Sequence, residues 1–96
     1  MTYAGLTISD KPALMDAKAL GAKWVARDKD TSLFGYVNKP KKLTRSRIWK
    51  YCGEHDWVRL IDSTLPFIQW SDAEPVNIDL AIAQIAEMES AAEAGK

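Results

Sequence analysis

"KWVARDKDTSLFGYVN", residues 23–38, decides how the rest of the chain is read. In its first half Trp24, Ala26 and Asp28 fall on one side of an extended backbone and Val25 and Arg27 on the other. A second run of β-type residues, Leu33 to Asn38, follows a short polar segment. Two such runs joined by a polar connection predict a β-hairpin. Thr31 or Ser32 stands where a tight two-residue turn would prefer glycine, so a four- or five-residue loop is expected.

Working outward, Lys39-Pro40-Lys41-Lys42 interrupts the pattern, because proline cannot donate to a ladder. RIWKYC (47–52) and DWVRLID (56–62) then alternate again, and Gly53-Glu54-His55 between them suggests a second hairpin. Leu65 to Trp70 offers a fifth strand, ended by residues 71–75. Before the first hairpin, Ser9 or Asp10 can cap a short helix with Pro12 in its first turn and Gly21 as its stop. Leu14, Met15 and Leu20 are its expected docking residues. After the last strand, Asn77 or Asp79 can cap a helix of about four turns. Its apolar stripe is Ile78, Ile82, Ile85 and Met88 or Glu89, with fraying expected from Ser90 onward. The expected fold is α+β: an antiparallel sheet of four to five strands in meander order. A long C-terminal amphipathic helix covers one face, and a short N-terminal helix lies at its margin.

Ninety-six residues, 47% of them hydrophobic, fit one small domain with an ordered core over about residues 9–90. Thirteen acidic and thirteen basic residues cancel, so the chain has neither the field of a generic DNA binder nor that of a DNA mimic. A single cysteine, Cys52, forms no intramolecular disulfide, which fits a reducing cytoplasm. No basic segment followed by an apolar run opens the chain, and no apolar stretch approaches a membrane span, so neither export nor a membrane partner is expected. An open sheet of this size leaves edges that two copies can pair, and a homodimer is expected.

The densest chemistry lies in residues 39–57, which hold six of the thirteen basic residues, two of the four tryptophans, and the only cysteine and histidine. Cys52 and His55 share a spacing used by metals and by nucleophilic enzymes. A structural zinc site needs four ligands, however, and a cysteine nucleophile needs oxyanion donors that nothing here indicates. The usual occupants of such positions are a buried cysteine and a turn histidine. The glycines are scattered singly, with no phosphate-binding spacing. Asp28 with Asp30, and Asp72 with Glu74, are carboxylate pairs two residues apart that fit solvated turns better than acid–base work. The chain is therefore read as non-catalytic, with no metal and no cofactor.

Lys39, Lys41, Lys42, Arg45, Arg47 and Lys50 form a run of six cations without an anion, and Trp49 and Tyr51 share a side of their strand if alternation holds. These eight residues are the candidate partner-binding surface. Three readings stay open: a solvated basic loop, a docking surface for a protein or small anionic ligand, and a nucleic-acid grip with rings as stacking platforms. A one-residue change of register would instead turn Trp49 inward. Trp24, Trp57 and Trp70 are expected in the core. Residues 72–93 carry six acids and no base, a counterpole to the basic run.

Trp24, Ala26, Arg27, Asp28, Asp30 and Leu33, then Lys39-Pro40, then Pro66, Ile68, Trp70, Asp72, Glu74 and Pro75, together resemble a pattern in small proteins of phages and prophages of Gram-positive bacteria. There a Trp-x-Ala-(Arg/Lys)-Asp strand and turn precede Lys-Pro and a closing Pro-x-(Ile/Val)-x-Trp strand. The resemblance spans residues 23–75, with Thr31 where that pattern has glycine. It implies a phage accessory protein in the cytoplasm of a bacterial host, binding a host protein to redirect or block it, a defence system included. It carries over no catalytic residue. Nucleic-acid binding through residues 39–50 is the alternative.

Overall fold

The computed structural model describes residues 2–51, 53 and 56–94. Strands β1 (Trp24–Arg27) and β2 (Leu33–Tyr36) form the expected hairpin, with Val25 opposite Gly35 and Arg27 opposite Leu33. Residues 28–32 make its five-residue loop. Thr31 takes a φ of 77°, the left-handed conformation that glycine would adopt without steric cost. Asp30 Oδ1 accepts the Ser32 N–H at 2.9 Å and the Asp28 carbonyl accepts the Thr31 N–H at 3.0 Å, bonds that hold the loop in that shape.

Beyond this hairpin the pairing departs from a meander. Residues 41–43 form β3 and residues 48–50 form β4, and these two pair with each other as a separate ribbon. Strand β5 (Trp57–Arg59) pairs with β2, and β6 (Val76–Asn77) with the other side of β1, giving a four-stranded antiparallel sheet in the order β5-β2-β1-β6. The Lys-Pro break is thus followed at once by a strand. The expected hairpin of RIWKYC with DWVRLID does not form. Residues 65–70, expected as a fifth strand, are irregular. Their backbone carbonyls are engaged by a side chain instead: Arg27 donates from Nε to the Ile68 carbonyl at 2.7 Å and from Nη2 to Leu65 at 3.2 Å. The same guanidinium donates to the carbonyls of Thr31 at 2.7 Å, Asp62 at 2.8 Å and Thr64 at 2.8 Å. All five guanidinium donors are satisfied by main-chain oxygens, so segment 62–68 is held without a ladder.

The N-terminal α-helix begins where expected, with Asp10 at its N-cap, but a 3-10 turn precedes it. Thr7 and Asp10 form a reciprocal capping box over a 3-10 turn (Ile8–Asp10) that runs into α1 (Lys11–Ala19). Gly21, with φ 96°, lies just past its end. Leu14 and Ala17 are fully buried, whereas Met15 and Leu20, expected to dock, are exposed. Asn77 Oδ1 caps α2 (Ile78–Ala94) by accepting the Leu80 N–H at 3.1 Å. Ile78, Ala81 and Ile85 are buried, and the helix continues past Ser90 to Ala94. The ordered core also starts before residue 9: Leu6 is buried, Tyr3 and Gln84 exchange two hydrogen bonds, and the Tyr3 hydroxyl accepts the Asn77 N–H.

Period two gives the sheet two unlike faces. Val25, Leu33 and Val76 join Leu14, Ile78 and Ile85 in the larger core beneath the helices. Gly35 lies on this face, where a Cβ would come within 2.8 Å of the Ala22 Cβ, so the close approach requires glycine. Ala26 and Tyr36 face the other way and pack with Trp49 in a second cluster, flanked by Trp24, Phe34 and Trp70.

Candidate functional site

The ribbon lies over this second face because the end of β1 anchors it. Asp28 Oδ1 accepts the Trp49 N–H at 2.8 Å, and the Trp49 indole donates to the Arg27 carbonyl at 3.1 Å. The last residue of β1 and the first of the loop therefore serve opposite sides, Arg27 holding the 62–68 segment and Asp28 the ribbon. Burial raises the Asp28 carboxyl above its ordinary value, opposed by the Trp49 N–H. Burial likewise lowers the Arg27 guanidinium, opposed by the Asp62 charge. The Tyr36 hydroxyl is pushed up by burial and by the charge of Asp28, so it stays neutral.

The eight candidate residues divide sharply. Trp49 is only 5% exposed, which removes it as a stacking platform; its ring meets Trp70 edge-on at 6.4 Å. Lys42 points the same way, donating to the carbonyls of Trp70 and Asp72 with its ammonium 4.4 Å from the Trp70 ring centre. That is a structural use of a cation, enclosed by rings and carbonyls. Lys39 pairs with Glu74 at 3.0 Å and lies 5.7 Å from the Trp24 ring centre. The acidic segment thus partly neutralises the basic one.

Lys41, Arg45, Arg47 and Lys50 remain on the outside, exposed and without an ion pair among the described residues. Lys41 stands directly opposite Lys50 across the ribbon, and Arg45 and Arg47 occupy the turn, where Arg47 takes a φ of 61°. Like charges directly opposite each other destabilise a two-stranded ribbon.

Tyr51, the eighth candidate, belongs to a feature that the sequence did not reveal. Trp57, expected in the core, is 47% exposed, and with Phe34, Tyr36 and Tyr51 it lines a cleft of about 190 Å³. Phe34 meets Trp57 edge-on at 5.7 Å, Tyr51 lies 6.3 Å from Trp57, and the Arg59 guanidinium sits 5.1 Å from the Phe34 ring centre. The alternation of LFGY and WVR carries the signal: Phe34, Tyr36, Trp57 and Arg59 must share a face once β2 and β5 pair. What the sequence lacked was the pairing itself.

The carboxylate pairs are structural. Asp72 accepts the Gln69 N–H at 3.0 Å, Asp30 caps the hairpin loop, and Asp28 and Glu74 hold Trp49 and Lys39. Among the described residues no three histidine, cysteine or acidic side chains cluster as a metal would require. Cys52 and His55 lie outside the described residues. No described helix is long and apolar enough to cross a membrane. No model of a known protein family, no curated protein and no solved structure matches the chain.

Proposed function

We propose that this chain is a non-catalytic binding protein that docks on a protein of its bacterial host through the aromatic cleft and the four outward cations of the ribbon. The observation that carries this reading is an all-aromatic recess whose Tyr51 directly follows Lys50 in the ribbon, together with basic ribbon side chains that have no carboxylate partner among the described residues. A recess formed by four rings from three segments suits one aromatic or apolar anchor from a partner, with acidic residues around it. In the phage setting that the sequence pattern implies, occupying a host component is the whole activity, and a defence protein is the target whose blockade serves a phage.

Nucleic acid is the second reading, favoured by the half-exposed Tyr51 and Trp57 rings near Lys50 and Arg59. Against it, Trp49 is buried and Lys39 and Lys42 are engaged, which shortens the track along which a strand would run. Affinity capture from host lysate, with and without nuclease, separates the two. The expected result is a discrete host protein that resists nuclease and is lost from both Trp57→Ala and the quadruple alanine variant of Lys41, Arg45, Arg47 and Lys50. Recovery of nuclease-sensitive nucleic acid, weakening steeply with salt, would replace this reading by the second.

A further inference from the structure

Among the described residues no strand pairs with the outer edge of β5, and its register fixes which backbone groups face outward. The Leu60 N–H donates to the Leu33 carbonyl and the Val37 N–H to the Asp56 carbonyl, both at 2.9 Å. With Gly35 opposite Val58, the hydrogen-bonded pairs of this antiparallel ladder fall at 56, 58 and 60. The N–H and C=O groups of Trp57 and Arg59 therefore point away from β2, at the terminal strand of the order β5-β2-β1-β6. No described residue bonds them. Nothing blunts the edge either: Trp-Val-Arg contains no proline and no bulge.

Exposed apolar side chains gather around this edge. On one face is the aromatic cleft with Tyr51 and Trp57. On the other a groove of about 260 Å³ runs between α1 and the segment after β5, and includes Leu20 and Ile61, 62% and 69% exposed. Apolar surface bordering unpaired backbone marks an association site.

We infer that the occupant is a second copy of this chain, paired β5 to β5 in antiparallel register about Val58. This twofold arrangement sets Trp57 of each copy opposite Arg59 of the other. The outward N–H and C=O groups of these two residues then match reciprocally, making four backbone hydrogen bonds. Trp57 and Arg59 lie on the same face of the sheet, so each guanidinium comes beside the other copy's indole, the kind of ring contact Arg59 already makes with Phe34. A formal net charge of zero removes long-range repulsion between copies. Each aromatic cleft gains a cation from the neighbouring copy, and the eight-stranded sheet displays two basic ribbons. The inference holds whether the clefts bind protein or nucleic acid.

Two variants test it. Arg59→Pro removes an outward N–H without touching an internal ladder bond. Val58→Cys, in a Cys52→Ser background, places two thiols on the twofold axis. A non-hydrogen-bonded pair there has Cα atoms about 4.5 Å apart, within the roughly 4.4 to 6.8 Å that a disulfide spans. Sedimentation and light scattering over a dilution series should give a dimer of the 10.7 kDa chain. Arg59→Pro, its fold checked by circular dichroism, should weaken the dimer at least about tenfold. The Val58→Cys chain should cross-link on mild oxidation. A wild-type chain that stays monomeric at about 0.5 mM overturns the inference. So does a dimer that neither responds to Arg59→Pro nor cross-links through position 58.

Discussion

The two faces of the β1–β2 hairpin are built by different physics from alternate residues of the same strands. Under the helices, Val25, Leu33, Ile78 and Ile85 are buried by shape and volume, with aliphatic side chains against one another. Under the ribbon, Ala26, Tyr36 and Trp49 are placed by directed bonds, among them Asp28 to the Trp49 amide and the Trp49 indole to the Arg27 carbonyl. The first face makes the domain stable. The second carries a layer that leaves an aromatic recess and four cations outside.

Arg27 links the two regions, and its loss should have the largest effect on stability. Arg27→Met removes five donors and orphans carbonyls of the 62–68 segment, so chemical denaturation should show a loss of about 3 kcal/mol or more. Arg27→Lys should rescue only part, because one ammonium cannot reach five carbonyls. Trp49→Ala should cost about 3 kcal/mol by the same measurement, drawn mainly from the ribbon layer.

Trp57→Ala sharpens the contrast from the other direction. Its half-exposed ring contributes little to the fold, yet affinity for the captured partner, measured by calorimetry, should fall by about 2 kcal/mol or more.

Asp28→Asn addresses the cost of anchoring the ribbon with a carboxylate. The folded-state value of Asp28 is raised, so the folded chain holds its proton at pH values where the unfolded chain has released it. Stability from this group therefore rises as pH falls from neutral toward the ordinary aspartate range. Asparagine keeps an acceptor for the Trp49 N–H and removes that gain, so melting curves of the variant should lack that component of the pH dependence. Asp30 and Asp62 act with the opposite sign. Backbone N–H groups hold both below the usual range, so the stability they provide is present above the ordinary aspartate value and lost as pH falls through their lowered values. The smallest effect belongs to Lys41→Glu, which turns a like-charged pair with Lys50 into an opposite one. Stability should rise by roughly 0.5 kcal/mol or less while partner affinity drops.

The same contrast explains what could be read from the sequence. The α+β class, the first hairpin with its five-residue loop and the C-terminal helix were legible because each is written in a local period. Thr31 was legible as a residue in a glycine's place. The docking of the ribbon and the irregular 62–68 segment were not, since the first depends on Asp28 reaching Trp49, 21 residues away, and the second on Arg27 reaching Ile68, 41 residues away. Such side-chain bonds leave no periodicity. Alternation was visible in both LFGYVN and DWVRLID, but when both faces are partly covered it does not say which face is buried. Trp49, whose orientation the sequence left open, is buried, and Trp57, expected in the core, is half-exposed. Of the basic run, Lys41, Arg45, Arg47 and Lys50 kept an outward position, while Lys39 and Lys42 were taken up by Glu74 and by carbonyls that only the folded chain brings near.

Hydrogen exchange on Trp49→Ala, followed by mass spectrometry, tests most directly whether the two faces are separate. Protection should disappear from residues 41–50 and persist in α1, α2 and the β1–β2 hairpin. Loss of protection in both helices together with the ribbon would show a single cooperative unit and contradict the division between a face that holds the fold and a face that carries the ribbon.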